Sequence, residues 1–356
     1  MKYSFKIASA WGIPIELHIT FILLMAAVLV LFYPYFYFFF LILFLFVFVV
    51  FHELAHSIVA RHYKIKVRKI VLYPIGGVSE IEEIPENPRM EWRLAIAGPL
   101  TSFVIGGVLL ALAQVISIAT TGAPTSLELT TTGNLILDLA VLNLILGAFN
   151  LIPAFPMDGG RVFRALLAER LKFSDATRYA AFIGKLFGIV LALVGFVFLN
   201  PLLIIVGIFI YIGANEEAEQ TIVSTTLAGV RVKDVMYPEV ATVTPETMLA
   251  DAMEIMFKAR YHDALVEKDG VLQGVVTWDE IMKVKAVQRS ATNVETLEKK
   301  QISVFDDESA MEAYKIMVKE RVNLLPVVDR VTPTKVIGVV TAEGINSAYQ
   351  KAKNLR

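Results

Sequence analysis

The sequence predicts a multi-pass α-helical membrane domain of six spans followed by a smaller cytoplasmic α/β module. Three observations carry this prediction. Of 356 residues, 56% are hydrophobic and 19% charged, with mean hydropathy +0.62, which is too apolar for a water-soluble globular chain. The apolar residues gather into membrane-length stretches before residue 215, and lysine and arginine are confined to alternate loops. Beyond residue 230 the composition becomes mixed and a segment repeats.

The spans are expected at roughly 13–33, 36–60, 92–117, 134–152, 179–199 and 201–214. Met1 to Lys6 and the apolar run that follows superficially resemble a signal peptide. Glu16 and His18 interrupt that run and no small-residue cleavage site follows Phe32, so the first span is read as uncleaved. Loop charge sets the orientation. Lys2 and Lys6 precede the first span, Arg61, Lys64, Lys66, Arg68, Lys69, Arg89 and Arg93 follow the second, and Arg161, Arg164, Arg170, Lys172, Arg178 and Lys185 follow the fourth. The loops at 33–35, 118–133 and 200 carry neither residue type, which makes the charged side cytoplasmic and places both termini there, in a multi-pass protein of the cell membrane. With 33 basic and 34 acidic side chains, nothing in the charge balance points to nucleic acid.

The second span, FYFFFLILFLFVFVVFHELAHSIVA, carries His52, Glu53 and His56. Ionisable groups inside a span are costly and mark function by default. Residues four apart share one helix face, so two neutral imidazoles at 52 and 56 can hold one zinc ion while Glu53 accepts a proton from water, the arrangement of an HExxH metallopeptidase. His52 lies nine residues before Arg61, or about 13 Å inside the cytoplasmic boundary at a rise of about 1.5 Å per residue. Cysteine is absent, which leaves His and carboxylate as ligands. Asp138 and Asp158 are the remote acidic candidates for a third ligand. Asp158 shares the cytoplasmic end with the histidines, whereas Asp138 is expected at the outer interface. His18, near the end of the first span, reads as a packing residue or a water contact.

Residues 66–90 alternate apolar and polar up to Tyr73, then reach Pro74 and the Gly76-Gly77 pair. They are expected to form one or two short strands and an acidic turn. A strand here could pair with an extended substrate peptide, or be a simple surface hairpin. Asn150, before Pro153 and Pro156, could donate its amide to a substrate carbonyl or oxyanion, or satisfy a broken helix. The Ala97-Gly98-Pro99 run would permit close helix approach.

HELAH in a span, PIGGV after it, AGPL in the next span and NLIPAFPMDGG at the end of the fourth resemble the site-2 protease family of intramembrane zinc metalloproteases. The likeness is to its archaeal members with a C-terminal pair of cystathionine-β-synthase (CBS) domains. It implies His52, His56 and Asp158 as ligands of one Zn²⁺ per chain, Glu53 as catalytic acid/base, and a transmembrane protein substrate within the lipid bilayer. Many relatives have Asn where this chain has Thr101-Ser102.

The domain bounds are expected at 1–215 for the membrane domain, 216–230 for a charged linker and 231–350 for the soluble module. PETMLADAMEIMFKARYHDALVEKDGVLQGVVTWDEI aligns with DESAMEAYKIMVKERVNLLPVVDRVTPTKVIGVVTAEGI, each a helix, a strand, a turn and a strand ending Gly-Val-Val-Thr. This is similar to a tandem CBS module, which implies an adenine nucleotide ligand or a structural role as a homodimer contact. Such modules often place Asp three residues after the threonine. Here Glu280 follows Thr277 and Gly344 follows Thr341. The expected activity is zinc-dependent cleavage of transmembrane segments, a regulated intramembrane proteolysis. The alternative class is a zinc-sensing or ion-translocating protein gated by the CBS pair, which would carry polar groups through both leaflets.

Overall fold

The computed structural model describes residues 3–81, 87–125, 133–238, 241–332 and 335–354, and divides into two compact units, Met1–Glu219 and Gln220–Arg356.

The first unit opens with two strands, not a membrane helix. Strands β1 (Ser4–Ala10) and β2 (Ile13–His18) pair antiparallel across a turn in which Trp11 and Gly12 both have positive φ. The expected first span at 13–33 is corrected by this arrangement. Ile13 and Ile15 are buried while Pro14 and Glu16 are less so, the period of two that a half-buried strand requires. Glu16 is held within the sheet, accepting from Ser4 Oγ at 2.5 Å and from Lys69 Nζ at 2.8 Å. Only then does α1 (Ile19–Leu31) begin, with His18 as its N-cap. His18 is therefore a strand-to-helix junction residue; its Nδ1 faces the Thr20 amide and its ring packs 4.8 Å from that of Tyr73.

Helix α2 (Phe36–His62) follows, then β3 (Val67–Tyr73), parallel to β2, and β4 (Gly76–Ile81), antiparallel to β3. The sheet order is β1-β2-β3-β4, so β4 is an edge strand. The acidic turn expected after it falls at 82–86, outside the described residues. Helix α3 (Pro88–Thr121) starts with Asn87 capping two amides and Pro88 in the first turn, and stops at Gly122 in the left-handed conformation. Helices α4 (Leu135–Asn150), α5 (Asp158–Ala168), α6 (Phe173–Val197) and α7 (Pro201–Ala228) complete the set. Among the described residues, α2, α3, α6 and α7 are long and apolar enough to cross a bilayer, while α1 and α4 are shorter apolar helices. Residues 216–228, expected as linker, continue α7. Helices α6 and α7 meet at Gly188 and Gly207, where a Cβ on either would lie within 2.7 Å of the other's carbonyl oxygen.

The second unit is an α/β module with a repeat. One half contains β5 (Thr242–Val243), α8 (Leu249–Ala259), β6 (Asp263–Lys268), β7 (Val271–Thr277) and α9 (Trp278–Met282). The other contains β8 (Val304–Phe305), α10 (Ala310–Glu320), β9 (Leu324–Val328), β10 (Val336–Thr341) and α11 (Ala342–Asn354). In both halves the first strand runs parallel to the second and the second antiparallel to the third. Leu265 and Val275 of one half pack with Leu324 and Val339 of the other, so the two halves share apolar contacts in addition to their separate cores.

Candidate metal centre

The centre is assembled from three helices. On α2 the four-residue spacing brings His52 and His56 to one buried face, with ring centroids 4.9 Å apart. Opposite them α3 presents Leu94, Gly98 and Ser102, also at four-residue spacing. His56 Nδ1 donates to the Leu94 carbonyl at 2.7 Å, and His52 Nδ1 lies 2.9 Å from Ser102 Oγ. Between these contacts a Cβ on Gly98 would meet His56 Nε2 at 2.2 Å and His52 Nε2 at 2.4 Å, so only hydrogen fits there. Gly98 thus accommodates the two rings directly.

Asp158 arrives from the third helix. It opens α5, and Gly159 and Gly160 press that helix start against the preceding loop, where added Cβ atoms would meet the Ile152 carbonyl at 2.3 Å and the Phe155 amide at 2.5 Å. The carboxylate is thereby aimed at the histidines, with Oδ2 3.2 Å from both Nε2 atoms, and the three ligand atoms lie within 4.8 Å of one another.

This donor set fits a cation. Because the Nδ1 hydrogen of His56 is committed to a carbonyl, a neutral His56 presents its Nε2 lone pair to a carboxylate oxygen. Two acceptors facing each other at 3.2 Å need a cation between them or a second proton on the ring. Ligands at zinc distances of about 2.0–2.1 Å in a tetrahedron stand about 3.3 Å apart, which matches the two histidine–aspartate separations. The hydrogen bonds on the far side of each ring are the kind that fix a ligating tautomer.

Glu53 is half-buried beside this group. Its Oε2 accepts from Ser79 Oγ of β4 at 2.7 Å, and Gly77 lies so close that a Cβ there would meet Glu53 Cγ at 2.6 Å. The sequence reading anticipated neither Ser79 nor the Leu94 carbonyl; no motif marks a backbone oxygen or a serine on a separate strand. Asp138 is not part of this group. It is buried in the first turn of α4 and accepts from Tyr37 OH, and Tyr37 precedes His52 by 15 residues, about 22 Å along α2. Asn150 Nδ2 donates to the Leu146 carbonyl one turn back.

In the second unit, His262, Asp263, Thr277, Trp278, Asp279, Arg321 and Asn323 line a cavity of about 290 Å³. Asp263 accepts from the Asn323 amide at 2.5 Å, and burial pushes its carboxyl above the usual range. Thr277 Oγ1 caps the Glu280 amide, the Glu280 carboxylate is paired with Lys283, and Thr341 Oγ1 accepts from the Gly344 amide at 3.0 Å.

Two membrane-length helices and the short α5 close around a His-His-carboxylate group with a glutamate beside it, the donor set and base of a metallopeptidase centre. The profile of peptidase family M50 matches residues 40–136 and 111–194, and that of the CBS domain matches 232–287 and 294–351. Zinc metalloprotease MJ0392 of Methanocaldococcus jannaschii is 41% identical over 291 residues, 81% of this chain and 82% of its own. Rip3 of Mycobacterium tuberculosis is 32% identical over 259 residues, 68% of this chain and 63% of its own. A solved site-2 protease from M. jannaschii is 45% identical, covering 61% of this chain and 95% of its own with a TM-score of 0.46. The chain belongs to peptidase family M50, the site-2 protease family, and carries a tandem CBS module.

Proposed function

We propose that the chain is a zinc-dependent endopeptidase that cuts transmembrane segments of substrate proteins, with His52, His56 and Asp158 holding the metal and Glu53 acting as acid/base. The observation that carries this reading is the convergence of both Nε2 atoms on Asp158 Oδ2 beside Glu53. When bound, zinc supplies a Lewis acid that polarises the scissile carbonyl and stabilises the charge developing on its oxygen. The remaining steps belong to the protein. Glu53, its Oε2 steadied by Ser79, takes a proton from the attacking water with its other oxygen and returns it to the departing amide nitrogen. A helical substrate hides its carbonyls in its own hydrogen bonds, so the segment must unwind. The edge strand β4, with Gly77 against Glu53 and Gly76 in open space beside it, offers a surface on which an extended segment adds as a further strand. The Asn150 amide retains one hydrogen for a substrate carbonyl.

The proposed domain division is 1–215 for the enzyme, 216–230 for the connection and 231–350 for the CBS pair, with six spans and the termini and CBS pair in the cytoplasm. The distribution of basic residues supports this topology. The CBS cleft, with Thr277 on its wall and Glu280 and Thr341 at the starts of α9 and α11, is proposed to take an adenine nucleotide that adjusts activity, and the module to support a homodimer. Such regulation requires that nucleotide bind two states of the enzyme unequally.

The test is cleavage of single-span substrates by the full chain in lipid vesicles, with and without chelator, added zinc and adenosine phosphates. Cleavage that stops with chelator and returns with zinc is expected. Zinc movement into the vesicles without any cleavage would favour the transporter alternative.

A further inference from the structure

Asp158 shares the first turn of α5 with Arg161, three residues on. At this spacing on a helix, oppositely charged side chains are neighbours and normally pair. A guanidinium resting on Asp158 would compete directly with a metal for the same carboxylate. Among the described residues no ion pair joins the two; Arg161 Nη2 instead lies 3.2 Å from Glu217 Oε2 of α7.

The surroundings show why Glu217 is needed there. Arg164, on the next turn of α5, is clamped with its guanidinium 4.9 Å from the ring centroids of both Phe155 and Phe173, and donates to Glu91 Oε1 from Nε at 2.7 Å and Nη2 at 2.5 Å. Glu91 is buried, and its Oε2 has no hydrogen-bond partner. Glu91 is therefore engaged with Arg164, and the second oxygen of Glu217, 3.6 Å from Arg164 Nη2, adds to that set. Two arginines and two glutamates cancel, leaving the charge of Asp158 for the histidine pair. Removing the Glu217 charge leaves one guanidinium uncompensated within reach of Asp158, in surroundings where unpaired charge is costly.

We propose that Glu217 is a positioning residue that guards the metal centre, holding the Arg161 guanidinium on α7 so that the Asp158 carboxylate stays free for the metal. The proposal rests on Asp158 being a ligand.

The experiment compares Glu217→Gln, Arg161→Gln and the double variant with the parent in the full chain, with Asp158→Asn as control. Zinc affinity is read by competition with a chromophoric chelator, and ligand geometry by the visible absorption of the cobalt(II)-loaded protein. Glu217→Gln should weaken zinc binding about 10-fold, the lower end for groups that orient metal ligands, and alter the cobalt bands. Arg161→Gln should bind zinc like the parent. The double variant should recover parental affinity and spectrum, since the competing cation is gone. A double variant as weak as Glu217→Gln, or Arg161→Gln as weak as Glu217→Gln, would overturn the guard and make the cluster a structural tie. Parental affinity in Glu217→Gln would also overturn it. If Asp158→Asn itself keeps parental zinc affinity, the ligand assignment fails, a result distinct from failure of the guard.

Discussion

Replacing Gly98 by alanine adds one carbon at the point where α3 faces both histidines. The new Cβ would stand 2.2 Å from His56 Nε2 and 2.4 Å from His52 Nε2, where ordinary contact begins near 3.4 Å, so the rings must retreat by about 1 Å. Neither ring has freedom to do so cheaply. His56 is fixed by its 2.7 Å bond to the Leu94 carbonyl, and His52 sits 2.9 Å from Ser102 Oγ. Metal–ligand distances tolerate only about 0.2 Å, and a misplacement of about 1 Å at a reacting centre costs on the order of 100-fold in rate. Gly98→Ala should therefore lower zinc affinity and kcat/KM by about 100-fold or more. The three atoms nearest the new methyl group all belong to the two imidazoles, so the disturbance falls first on the metal site. Zinc content by atomic absorption, cleavage of a single-span substrate and a thermal melt by circular dichroism test this together. Stoichiometric zinc and parental turnover in a folded Gly98→Ala protein would refute the close-approach argument.

Other substitutions separate the roles of the neighbouring groups. Glu53→Gln should keep full zinc occupancy while cleavage falls by about 10²–10⁴-fold, because the ligands remain and the proton acceptor is lost; undiminished turnover rules out Glu53 as the base. Asp158→Asn should strip the metal and Asp138→Asn should not, since Asp138 serves Tyr37 far along α2; equal zinc in parent and Asp158→Asn defeats the assignment. Ser79→Ala removes the hydrogen bond that steadies Glu53 Oε2, and should reduce kcat about 10-fold with zinc content unchanged; a parental kcat means that bond does not orient the base.

Much of this protein is written locally. The spacing of His52 and His56 decides that both imidazoles share a face as soon as the segment is helical, because a period of 3.6 belongs to a single helix and needs no partner. The membrane-length apolar stretches that became α2, α3, α6 and α7, the strand after α2 and the repeat in the soluble half are likewise properties of contiguous residues. Hydrophobicity misled at the start of the chain, where Ile13 to His18 are apolar enough to extend a span but pair as β2 with residues fifty positions away. The sheet, not the composition, decides that segment, since backbone pairing across chain-distant strands leaves no mark in the local average.

The rest of the site was settled only by packing. A leucine contributes its carbonyl rather than its side chain, a glycine on α3 contributes the absence of a Cβ, Ser79 reaches Glu53 from another element, and Glu217 on α7 takes an arginine that its own helix offers to Asp158. The amino-acid types disclose which side chains are able to bind a metal or carry a proton. Which backbone oxygens, empty spaces and countercharges stand opposite them depends on how the helices and the sheet dock, and that is fixed by the tertiary structure alone.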